Sequence, residues 1–214
     1  MLAKEALKII GGLSKPSKMP CPGYSIPAEL CNVGSKLRKV KGSICSDCYA
    51  LKGMYQFPVV RNALQLRYEK LSHALKTDTT EYRQAFKKLL KNQSHFRWHD
   101  SGDLINADHL QMIVDIAIEN PHVQFWIPTR EFKLVSDYFK TNAKPDNLIV
   151  RLSATKVDSP APIQTAKKFG LTVSGVHTKQ TTYSVCPASN QDGFCKDCRK
   201  CWSNDVFSVS YPIH

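Results

Sequence analysis

Residues 49–185 contain no cysteine, although the chain has eight. No apolar run is long enough to cross a bilayer, so no membrane contact is expected. The opening residues, MLAKEALKIIGGLSK, lack the apolar stretch of roughly 7–15 residues and the small-residue cleavage site of a secretory leader. These absences point to a reducing cytoplasm, where disulfide scaffolds are rare. There is no internal repeat, no low-complexity tract and no linker that would divide the core. With 214 residues, 42% of them hydrophobic, one sizeable core is expected. The chain reads as a single domain with an α/β core over 59–180, an N-terminal cysteine segment over 1–58 and a C-terminal one over 181–214.

The cysteines fall into two quartets: Cys21, Cys31, Cys45 and Cys48, then Cys186, Cys195, Cys198 and Cys201. Four thiolates suit a tetrahedral zinc or a [4Fe–4S] cubane. The second quartet gives the sharper signal. Its overlapping C-x-x-C steps, Cys195-x2-Cys198-x2-Cys201-Trp202, put three sulfurs on one short loop, as in the bacterial ferredoxin run. Cys186-Pro187 supplies the fourth. The first quartet has one C-x-x-C, preceded at long spacings by Cys31 and Cys21, and would suit zinc almost as well. Four disulfides are the plainer alternative, disfavoured by chain length and core size. One or two [4Fe–4S] clusters are expected, with zinc as the alternative at one site. Cysteines from both ends could also meet in one cluster.

The cysteine-free middle alternates helix and strand. Apolar spacing predicts helices at about 59–76, 80–92, 106–119, 131–142 and 160–169. His95–His99, Val123–Ile127, Asn147–Leu152 and Leu171–Ser174 read as strands. Such alternation predicts an α/β fold, either a partial (β/α) barrel or an open parallel sheet. In both, the working end is where strands meet the following loops. Asp100, Ser101, Asp103, Arg130, Arg151, Ser153, Thr155 and His177 arrive there, and both cysteine segments are expected to fold over that end.

Asp100, Asp103, Arg130, Arg151 and His177 are the candidate catalytic residues, and each has a plainer role. Asp103 or Asn106 could simply cap the next helix. The His99-Asp100-Ser101-Gly102-Asp103 run does more than cap, because it sets two carboxylates beside a glycine that a ligand can approach closely. Arg130 and Arg151 are expected at equivalent positions on neighbouring strands, to hold an anion, tune a cluster, or pair with Asp100 and Asp103. His177 could donate to a cluster or substrate. His95 and His99 alternate with Arg97, so one is expected to face the core. His73, His109, His122 and His214 are expected at the surface. Tyr49 and Trp202, adjacent to cysteines, either shield sulfur from water or are ordinary core aromatics.

Lys and Arg number 30 against 18 Asp and Glu, a net charge of +12. Eight thiolates and two cluster cores would lower this to about +8. Nucleic acid or an acidic redox partner is therefore open. The best contact candidate is KLRKVK at 36–41, between Cys31 and Cys45, whereas KKLLK at 87–91 reads as a solvated helix face. No helix-turn-helix, RNA-recognition or finger spacing is apparent.

Four runs together resemble the phage gene product 88-like family over nearly the whole chain. They are Met19-Pro20-Cys21-Pro22, Cys45-x-x-Cys48-Tyr49-Ala50-x-x-Gly53-x-Tyr55, His99-x-Ser101-Gly102-Asp103 and Cys195-x-x-Cys198-x-x-Cys201-Trp202. The resemblance implies a viral protein made in the cytoplasm of an infected bacterium. It also implies an iron–sulfur protein whose partial-barrel core is similar to that of radical S-adenosylmethionine enzymes. It brings no settled activity. Such enzymes typically use C-x3-C-x2-C and leave one iron open. Here Cys31-x13-Cys45-x2-Cys48 departs from that spacing, and Cys21 is available to close the site, so S-adenosylmethionine is disfavoured without being removed. The Ser101-Gly102-Asp103 run could stand where those enzymes place a methionine-binding turn. The expected function is redox or electron transfer with a redox partner or host protein. The alternatives are a radical-type or other cluster-dependent enzyme with a modified loop, and a metal-stapled module binding nucleic acid or a host protein.

Overall fold

Seven parallel strands form one sheet in the order β1-β2-β3-β4-β5-β7-β6 in the computed structural model, which describes residues 1–213. His214 lies outside the described residues. Helix α1 (Ala3–Ile10) leads to β1 (Gly23–Tyr24), and α2 (Asn32–Leu37) with a run of 3-10 turns carries the N-terminal cysteine loop. Helices α3 (Pro58–Lys76) and α4 (Thr80–Leu90) return the chain to β2 (His95–Trp98). Next come α5 (Ala107–Glu119), β3 (Gln124–Thr129), α6 (Phe132–Phe139), β4 (Leu148–Ser153), α7 (Ile163–Lys168) and β5 (Thr172–His177). Strands β6 (Ser184–Val185) and β7 (Ser208–Pro212) close the order.

Strand alternation separates two faces. Phe96, Trp98, Phe125, Ile127, Leu148, Val150, Leu152 and Val173 point one way and pack with Ile10, Leu71, Phe86, Ile113, Val135 and Ala166 of the helices. Each such large apolar side chain contributes about 1.5–3 kcal/mol on burial. Residues of opposite parity face the other way. There Trp126 packs with Cys21 and Trp202, with Met19, Cys201 and Tyr211 against them. Helices α1, α3, α4, α5, α6 and α7 pack on one face, and strands β1 to β5 follow one another in chain order.

The predicted core elements are present with shifted ends. Helix α7 starts only at Ile163, after Pro160 and Pro162, and β3 and β5 run on to Thr129 and His177. Strands β1, β6 and β7 were not foreseen. They bring both cysteine segments into the sheet itself, with β7 paired between β5 and β6.

Candidate metal centres

The chain leaves the C-terminal end of β1 and brings Cys31, Cys45 and Cys48 back over the strand ends, which form the mouth of the sheet. Hydrogen bonds fasten this loop at several points: besides Asn32 Nδ2 to Ile105 O (2.9 Å) and Tyr49 Oη to Asp100 O, three more tie it to the strand ends. Ile44 N donates to Thr155 O (2.9 Å) beyond β4. Val33 N donates to Glu131 Oε1 (2.8 Å) beyond β3. Tyr55 Oη donates to Asp100 Oδ2 (2.8 Å) beyond β2. Gly34 lets α2 lie against two thiols, since a Cβ there would sit 2.9 Å from Cys31 Cβ, 3.5 Å from its Sγ and 3.8 Å from Cys45 Sγ.

Asp103 is buried beside this triad. Its carboxylate accepts from Thr129 Oγ1 (2.6 Å), Leu104 N (2.8 Å) and Arg130 N (2.9 Å). Burial pushes its pKa up, and these bonds oppose the rise. Burial pushes the Cys31 thiol up to about 12, aided by the charges of Asp103, Cys48 and Cys45. Cys45 is also raised by burial, with Arg130 opposing. Metal binding here would have to displace protons. The helix cap proves to be Asn106, whose Oδ1 accepts from His109 N (2.9 Å). Gly102 (φ 87°) is approached by chain and not by open space: an added Cβ would meet Ile26 Cγ1 at 2.4 Å and Ile26 O at 2.8 Å.

Cys21 does not join this triad. It precedes β1 whereas Cys31 follows it, and the charge neighbours of its thiol are Arg97, Cys195 and Arg199, with none of Cys31, Cys45 and Cys48 among them. Cys195 N instead bonds Lys18 O (3.0 Å), bringing the C-terminal loop onto the Cys21 limb. The Cys21 thiol is pushed up to about 12 by burial, with Arg97 and Arg199 opposing and Cys195 adding to the rise. Cys195 lies within charge range of Cys186 and Cys198, and Cys201 of Cys186. Cys201 Sγ shares a hydrogen bond with Tyr211 Oη (3.3 Å), and burial raises its thiol to about 11. The spatial grouping is thus three and five in place of two quartets, and the five lie across the face of the sheet, away from its mouth.

Two arginines underlie the five thiols. Arg151 is not at a strand end: it lies within β4 opposite Pro128, not Arg130. Fully buried, it donates to the carbonyls of Lys200 (2.6 Å), Ser203 (3.1 Å), Cys201 (3.2 Å) and Val173 (3.3 Å). Arg97 lies 4.6 Å over the Trp126 ring, with Nη1 3.1 Å from Met19 Sδ, and its buried Nε has no acceptor. Among the described residues neither guanidinium is ion-paired to a carboxylate.

The other expected site residues take quieter positions. Arg130 Nε donates to Ala154 O (3.1 Å), Ser174 Oγ donates to Ser153 Oγ (3.0 Å), and His177 Nδ1 shares a hydrogen bond with Ser210 Oγ (2.7 Å). His109 is buried, not exposed. It packs 5.1 Å from His99, whose φ of 58° turns that ring to the helix side. Trp202 is a core residue bonded through Nε1 to Phe96 O (2.9 Å), whereas Tyr49 is 58% exposed and shields little.

All eight cysteines are free thiols. Among the described residues no three His, Cys, Asp or Glu side chains are arranged about a single ion. A cubane spreads its ligands over four irons and needs wider spacing than one ion does. Four thiolates on its core carry about −2 in all, which the unpaired Arg97 and Arg151 would balance. Five thiols exceed the four that a cubane takes, so the C-terminal set could hold one with a thiol to spare, and the three at the mouth would leave one iron without a cysteine.

Among the described residues no helix is long and apolar enough to cross a membrane. No curated protein and no solved structure matches the chain. A family profile described as gene product 88 matches residues 2–204, a span that includes all eight cysteines. The match covers nearly the whole sequence, and the chain belongs to this family of phage proteins.

Proposed function

We propose that this is an iron–sulfur protein with two unlike cluster sites, and that the one at the mouth of the sheet supports cluster-dependent chemistry on a small molecule. The gathering of Cys31, Cys45 and Cys48 without Cys21 carries this reading. Three thiolates on a cubane leave one iron open, and such a cluster supplies an electron to whatever binds there. A closed fourth ligand would have favoured electron transfer alone.

The residues around the mouth suit this use. Asp103 fixes the β2–β3 corner, Arg130 sets a cation beside Cys45, and the Tyr55–Asp100 bond holds the Cys48 limb. The order along the chain also supports it, because the thiol loop follows β1 and the Ser101-Gly102-Asp103 turn follows β2, as the likeness to radical S-adenosylmethionine enzymes implies. The long Cys31–Cys45 spacing and the packing of Gly102 against Ile26 are departures from that pattern. The five-thiol set suits a closed electron-transfer cluster, so the redox reading is kept for that site. Lys39 and Lys41, exposed near the mouth loop, suit an acidic partner.

Anaerobic reconstitution tests the proposal. About eight irons per chain are expected, with two signals in electron paramagnetic resonance after reduction. One signal should change on adding S-adenosylmethionine. A colourless protein holding zinc alone would sink the iron–sulfur reading. Two signals, neither responding to the nucleoside and with none of it cleaved, would confine the protein to electron transfer.

A further inference from the structure

We propose that Arg97 raises the potential of the C-terminal cluster by fixing a positive charge beside its thiolates. The inference rests on the two-cluster reading above. Reduction adds negative charge to a cluster, so a nearby buried cation favours it and a buried anion opposes it.

The two sites differ in this respect. Around the five thiols stand Arg97, Arg151 and Arg199, the last donating to Cys198 O (3.0 Å). The carboxylates of that loop, Asp192 and Asp197, are exposed. At the mouth, Arg130 and Arg38 are set against Asp103, which is buried and in charge contact with Cys31 and Cys45. Solvent exposure does not separate the sites, because each has one buried cysteine, Cys21 or Cys45, among partly buried ones.

Arg97 is singled out from the other cations by its bonding. Arg151 is committed to backbone carbonyls, and Arg199 donates to Lys196 O and Cys198 O. Only Arg97 among the three has a buried N–H without an acceptor. It is clamped over Trp126 and against Met19, two residues before Cys21, within charge range of Cys21, Cys195 and Cys201 on one side and of Tyr49 and Asp100 on the other. It is a positioning residue: it acts through the charge it fixes beside the thiolates.

The test is a dithionite titration of the full chain, followed by electron paramagnetic resonance, with Cys48→Ala identifying the mouth signal. Arg97→Met should move the C-terminal signal to more negative potential by more than it moves the mouth signal, and Arg97→Lys should stay nearer the wild type. An unshifted C-terminal signal in Arg97→Met with full iron overturns the role of Arg97. If that variant loses iron, Arg97→Gln decides, and an unshifted C-terminal signal in it overturns the proposal. A wild type with no iron overturns the two-cluster reading itself, an outcome distinct from a cluster that does not shift.

Discussion

The mouth triad and the C-terminal five are held to the same sheet by different means. The triad sits on a loop fastened at its rim by hydrogen bonds to Thr155, Glu131, Ile105 and Asp100, the last accepting from both Tyr49 and Tyr55. The five lie on a loop whose carbonyls converge on the guanidinium of Arg151 beneath it. A rim-fastened loop with few buried apolar contacts opens at low free-energy cost, whereas one anchored on a buried cation does not. Charge follows the same division, with a buried carboxylate at the mouth and unpaired arginines under the five. One site is built to yield to a ligand and the other to hold its contents.

The largest effect that could break this contrast is expected from Arg151→Met. It leaves several buried carbonyls without a donor and should cost roughly 3–5 kcal/mol, measured by urea unfolding. Iron at the C-terminal site should be lost while the mouth signal survives. Equal loss at both sites would show that Arg151 serves the whole fold.

Acid should separate the two regions in the opposite sense. Burial pushes the His109 imidazole down to about 3, and burial, His109 and Arg97 lower His99. A folded-state pKa below the unfolded one means that the unfolded chain takes the proton first. The stability from burying neutral rings is therefore complete above about pH 6.5 and is lost progressively as pH falls toward 3. At pH 5 the loss from His109 alone is about 2 kcal/mol. Hydrogen exchange should quicken at the end of β2 and the start of α5 before it does in the C-terminal loop, and His109→Gln should flatten the difference. Simultaneous quickening in both would contradict a mouth that loosens first.

The smallest effect sharpens the contrast most locally. Tyr55→Phe removes one rim bond, for about 1 kcal/mol. Exchange should rise over residues 44–56 and leave Cys195–Trp202 unchanged. Protection in both segments falling together would mean that the loops are not separate units.

The core strands and helices were legible because Phe96, Trp98, Phe125, Ile127 and Val150 alternate between apolar-rich helices, and Gly170, Asn120 and Pro121 punctuate them. Strands β1 and β7 were not, because two residues and a Ser-Val-Ser-Tyr-Pro run are held by backbone pairing with their neighbours, which leaves no hydrophobic pattern. The eight thiols were legible as ligands, but their partition depended on which side of β1 each one lies. Nothing local in the sequence marked the two-residue β1 that separates Cys21 from Cys31. Arg151 showed the parity of an outward-facing strand residue. Its depth was hidden because only the returning C-terminal loop buries it. His109 fell on the apolar side of α5, and its burial follows from its packing against a reversed His99 that no local pattern announces.

The division of the thiols into three and five is tested most directly by comparing Cys21→Ala with Cys48→Ala after anaerobic reconstitution. Cys48→Ala should abolish the ligand-responsive signal in electron paramagnetic resonance, and Cys21→Ala should leave that signal intact and disturb only the other. Loss of the same signal in both variants would place Cys21 with the mouth triad and contradict the account.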